Sequence, residues 1–201
     1  MDQQSAASRP GAYSAASKWL HWVIAIVIFF TISIGIRLGF MPEGPEQDYY
    51  FDVHRSLGVL VLAAIRVAAR QTFGTPAPAA SLTPFERIAS TAAHHSLLAL
   101  LFLQPIVGWL SMDAYRADVS VFGLFTLPHI LPQSDAAYTA LSWVHFTLGY
   151  LMVAVLVAHI GGAMMHGFIK RDGVLNHMLP ASWGRMLDQV LARGGAANKS
   201  A

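Results

Sequence analysis

Cysteine is absent from the 201 residues. That excludes disulfides, thiolate zinc sites, iron–sulfur clusters and haem attached through thioether bonds. Any metal must then be held by histidine, methionine or oxygen. Charge is scarce as well: Asp, Glu, Lys and Arg make up 12% of the chain, about half the ~25% usual in soluble domains. The net charge is only +2 and no basic tract occurs, so nucleic-acid binding has no electrostatic footing. There is no internal repeat, and no small-residue cleavage site follows the first apolar run. That run therefore reads as a retained helix, not the core of a signal peptide.

What the chain has in excess is apolar sequence and histidine. Hydrophobic residues make up 55% and histidines number nine, with a mean hydropathy of +0.48. Apolar stretches predict helices over about 15–38, 53–69, 84–112 and 138–169, each close to or beyond the length that spans a bilayer. Ser14 caps the first; Thr83-Pro84-Phe85-Glu86 opens the third with a capping box and a proline at the first helical position. The predicted fold is all-α, a transmembrane four-helix bundle over residues 14–180. A flexible segment 1–13 precedes it, and 181–201 form a short surface helix and disordered tail. Residues 39–52, with Glu43, Glu46, Asp48 and Asp52, read as an acidic loop.

Basic residues set the orientation. Arg9, Lys18, Arg66, Arg70, Arg87, Lys170, Arg171, Arg185, Arg193 and Lys199 flank one side of the predicted spans. The acids of 39–52 join Asp113, Asp118 and Asp135 on the other, with Arg37, Arg55 and Arg116 as exceptions. The positive-inside rule then puts both termini in the cytoplasm.

With that orientation the histidines fall into two layers. His54 and His145 open the second and fourth helices at the outer face, and His21 and His159 lie in the inner half. The 14 residues between His145 and His159 are about 21 Å of helix with an angular offset of roughly 40°, so both rings point to one side. Ionisable groups inside spans mark function, and a b-type haem needs two axial imidazoles at one depth on facing helices. The pairs His54–His145 and His21–His159 meet that requirement. Gly58 and Gly149 each follow an outer histidine by four residues, leaving a bare patch where a macrocycle could lie; close helix packing is the alternative. His166 rivals His159, and His94 rivals His21. If His94 is not a ligand, its imidazole can hydrogen-bond a quinone carbonyl near the inner haem. Lys18 can pair with a haem propionate or line the same mouth, or simply snorkel to the interface. Met152, Met164 and Met165 read as packing, and His129 and His177 as solvated.

The ordered set Lys18-Trp-Leu-His21-Trp22, His54-Arg-Ser-Leu-Gly58, His94, Gln104-Pro-Ile-Val-Gly-Trp109, Phe122-Gly-Leu-Phe-Thr-Leu-Pro128, His145…Gly149-Tyr150…His159 and Lys170-Arg-Asp-Gly173 resembles the bacterial cytochrome b561 family. The resemblance covers about residues 13–180. It implies a bacterial inner-membrane protein with two haem b groups, the same ligand pairs, and a quinone site near His94. One branch of the family oxidises superoxide outside and reduces ubiquinone. Another supplies electron-transfer subunits to a partner dehydrogenase or hydrogenase. The short loops resemble the stand-alone branch, although the acidic first loop departs from what would attract an anion. A histidine-lined transporter is the alternative of another class.

Overall fold

A computed structural model describes residues 13–58 and 81–197. Among these, three helices are long and apolar enough to cross a membrane: α1 (Ala15–Leu38), α3 (Pro84–Tyr115) and α4 (Asp135–Met164), the last prolonged by a π-helical turn over Met165–Lys170. A shorter helix α2 (Pro45–Leu57) lies between α1 and α3 in sequence, and α5 (Ala181–Ala197) closes the described chain. Two-residue strands β1 (Ser120–Val121) and β2 (Phe125–Thr126) pair antiparallel in the loop between α3 and α4.

The helix starts obey local chemistry. Ser14 Oγ accepts from the Ser17 amide, and Thr83 with Glu86 forms the reciprocal capping box that opens α3. Such a cap is worth about 1 kcal/mol. Helix α2 begins eight residues before the predicted 53 and replaces much of the expected acidic loop. Its signals were present: Gly44 takes a φ of 151° that suits glycine, Pro45 sits at the first helical position, and Glu46 and Asp48 occupy the first turn. There the acids complement the helix dipole. The expected span 53–69 continues into 59–69, which lies outside the described residues. Helix α4 starts at Asp135 on a Ser134 cap, three residues before the expected start, and α5 extends through Gly194 and Gly195 into what read as a disordered tail.

Long-range contacts define two ends. At one, called the inner end, Lys18 of α1 donates to the Asn176 and Leu179 carbonyls, Trp22 donates to Met178 O, and Lys170 pairs with Glu86 at the start of α3. At the outer end, Ser56 of α2 donates to Ser120 O and accepts from the Phe122 amide, while Arg55 reaches Asp118 O. Among the described residues very few side chains are fully buried, whereas Phe29, Phe30, Ile36, Tyr150, Val157 and Ile160 are exposed on α1 and α4. An apolar surface of this extent suits lipid, not water.

The outer loop is pinned by Asp113, a 1% exposed carboxylate that accepts from the Ile130 and Leu131 amides and from His129 Nδ1 at 2.7 Å. His129, expected to be solvated, instead bridges Asp113 and Asp118. The Asp113 hydrogen bond, helped by Asp118, raises the His129 pKa. A raised folded value means that this contribution is complete below the unfolded pKa of about 6.5 and is lost as pH rises through the folded value. The loop 117–134 should accordingly become more sensitive to limited proteolysis as pH rises from mildly acid to alkaline. His129→Ala should be cleaved readily at every pH; an unchanged pH profile in that variant would contradict the assignment.

Candidate metal centres

Helix α2 carries His54 on its last turn, and the ring leans against α1, where Nδ1 lies 3.0 Å from Thr31 O. Near the start of α4, His145 leans against α3, with Nδ1 3.2 Å from Gln104 O. In both, Nδ1–H donates to a main-chain carbonyl, which fixes the tautomer and leaves Nε2 as the free lone pair. This is the arrangement of a metal-ligating imidazole. The two ring centroids are 6.1 Å apart. At the inner end, His21 of α1 and His159 of α4 stand 6.4 Å apart.

Those separations can be tested against an iron between the rings. A metal–imidazole bond of about 2.0–2.1 Å on each side, plus ~1.1 Å from nitrogen to ring centroid, spaces the centroids by roughly 6.3 Å. Both pairs fit. His94 and His159 are 5.2 Å apart, about 1 Å less than that spacing, so three imidazoles come together at the inner end. His166, the rival to His159, has both ring nitrogens turned to carboxylates: Nδ1 is 2.7 Å from Asp172 and Nε2 is 3.9 Å from Glu86. Asp172 keeps its pKa below the ordinary value: burial pushes it up, but hydrogen bonds from His166 and the Val174 amide outweigh that. Among the described residues no group of three or more His, Asp or Glu side chains is placed to hold a bare metal ion.

Space for the outer rings comes from two glycines that the sequence reading did not link to the histidines. A Cβ at Gly35 of α1 would lie 2.9 Å from His54 Cε1, and one at Gly108 of α3 would lie 3.0 Å from His145 Cε1. Gly108 was legible as the glycine of Gln104-Pro-Ile-Val-Gly; Gly35 carried no local signal beyond sitting in an apolar helix. Gly58 is the α2 C-cap, where a Cβ would meet the His54 and Arg55 carbonyls, and a Cβ at Gly149 would lie 3.1 Å from the Gln104 side-chain nitrogen. Gln104 Oε1 is buried and has no hydrogen-bond partner, a polar atom inside the bundle next to the outer pair.

A family model described as prokaryotic cytochrome b561 matches residues 12–181. The chain is 32% identical to cytochrome b561 homolog 2 of Escherichia coli (strain K12) over 182 residues, which cover 86% of this chain and 94% of that relative. It is 23% identical to cytochrome b561 homolog 1 of the same organism over 174 residues, 84% of this chain and 97% of the relative. It is also 26% identical over 175 residues to the "Probable superoxide oxidase CybB" of Yersinia pestis, with 86% and 98% covered.

The glycines give a direct check on ring placement. Gly35→Val and Gly108→Val should each lower bound haem per protein, read from the pyridine haemochrome, while helical circular dichroism is kept. Gly161→Val is the control, because a Cβ there meets nothing within 4 Å. Equal haem content in all three would contradict the fit.

Proposed function

As the chain belongs to the prokaryotic cytochrome b561 family and is thus a haem-b membrane electron-transfer protein, we propose that it holds two haem b groups. His54 and His145 ligate the outer one, and His21 and His159 the inner. The observation that carries this is the pair of ring separations, 6.1 and 6.4 Å, at opposite ends of the bundle. When bound, the haems supply one-electron redox chemistry, and the chain supplies ligation, burial and tuning. Helix α4 contributes a ligand to each, about 21 Å apart along its axis. Its two imidazoles therefore set up a route across the bacterial inner membrane, with both termini in the cytoplasm.

Quinone binds beside the inner pair, where the His94 ring lies 5.2 Å from that of His159. The quinone is ubiquinone. Lys18 spends two of its three N–H donors on the Leu179 and Asn176 carbonyls and offers the third to a haem propionate. Gly58 and Gly149 keep the flank of the outer haem low. Superoxide is the outer donor, in line with the printed name of the Yersinia pestis relative. A second reading, a subunit that takes electrons from a partner dehydrogenase, is favoured by one feature. Arg37 pairs with Glu46 at 3.7 Å and Arg55 with Asp52 at 3.3 Å, which offsets the positive field that would draw in an anion.

The test is a redox difference spectrum with a haem count on the purified protein. Two haems per chain are expected. His54→Ala and His145→Ala should remove the same one, and His21→Ala and His159→Ala the other. One haem indifferent to His145 or to His159 would overturn the assignment. Anaerobic addition of superoxide to the isolated protein separates the donors: haem reduction with no second protein present supports superoxide, and its failure supports the subunit reading.

A further inference from the structure

Outside the histidine pairs, four ionisable side chains from three segments meet at the inner end. His166 sits on the π-helical turn that ends α4 and is 6% exposed. Its Nδ1 faces Asp172 Oδ2 at 2.7 Å, and its Nε2 faces Glu86 Oε1 at 3.9 Å. Glu86 is held in turn by Lys170 and by the Thr83 cap. Asp172 is held by the Val174 amide and the Ser81 hydroxyl. Arg171 faces elsewhere, its Nε donating to Phe168 O.

Packing does not call for this cluster, because apolar side chains of similar volume serve a buried position at least as well. Three of its features are those of a proton path. The imidazole is buried while both carboxylates keep some contact with solvent, at 16% and 14% side-chain exposure. Each ring nitrogen faces its own acid, Nδ1 in a hydrogen bond and Nε2 at a distance that one water or a small side-chain shift closes, so a proton can arrive on one and leave from the other. Finally, the residue sits on a π-turn, a rare backbone feature frequent at functional sites. His159 is seven residues, about 10 Å, further into the membrane on the same helix.

We infer that His166, set between Asp172 and Glu86, relays the protons that quinone reduced at the inner end must take up. This rests on the quinone site proposed above. Reduction of one quinone consumes two electrons, delivered singly from the outer donor, and two protons, one for each carbonyl oxygen, so that two O–H bonds form. The protons enter from cytoplasmic water through Asp172 at Nδ1 and leave from Nε2 toward Glu86, which lies on the same helix as His94. His166 takes each on one ring nitrogen and releases one from the other, ending as it began.

The relay is tested with His166→Ala and with Glu86→Gln, which keeps a capping side chain at the third helical position. Protein reduced anaerobically is mixed with a short-chain ubiquinone and haem reoxidation is followed; quinone affinity is measured separately on the oxidised protein. Both variants should keep wild-type haem content and quinone affinity yet reoxidise about a hundredfold more slowly. Added imidazole should restore His166→Ala. If His166→Ala does not fold, Glu86→Gln carries the test alone. Reoxidation at the wild-type rate in the variants would overturn the relay, as would a loss of quinone affinity matching the loss of rate, which would make His166 a quinone contact. Wild-type protein that neither binds the quinone nor is reoxidised by it would remove the quinone site itself, and the relay with it.

Discussion

A histidine whose Nδ1–H is committed to a main-chain carbonyl has one lone pair left, and its direction is set by the backbone. His54 on Thr31 O and His145 on Gln104 O are both in that state, each anchored to a helix other than its own. The rest of the outer end follows from this constraint. Glycines 35 and 108 let the rings approach. The Gly44–Pro45 start projects α2 so that its last turn meets α1, and Ser56 ties the same turn to the loop hairpin. Among the described residues few side chains are buried, and these polar anchors tie the helices and loop together.

The long apolar runs made α1, α3 and α4 legible, because eighteen or more apolar residues leave few alternatives to a spanning helix. For α1 the expected bounds, 15–38, coincide with those observed. Composition misled at residues 45–52, where the acids that suggested a loop are first-turn residues of α2. Helix-start chemistry outweighed the charge count there. The pairing of histidines by depth is a matter of periodicity and loop charge, both readable from sequence. What each ring touches is not. Asp172 is only six residues from His166, but nothing local to His166 or His129 points to Glu86, 80 residues away in the chain, or to Asp113, 16 away. Likewise the spacing of Gly58 and Gly149 from their histidines was visible, but only the fold shows that Gly35 and Gly108 lie against the rings.

The two ends of the protein carry different electrostatics. At the outer end arginines and acids pair off around the mouth, while Asp113 and His129 lock the loop above it. At the inner end a histidine, two carboxylates and a lysine form a less exposed cluster.

The central claim, two irons each gripped by two imidazoles, is tested most directly by low-temperature electron paramagnetic resonance of the oxidised, purified protein. Two bis-imidazole sites require two distinct low-spin ferric signals of equal intensity and no high-spin iron. A high-spin signal in fresh protein, or a single low-spin species at one iron per chain, would contradict it.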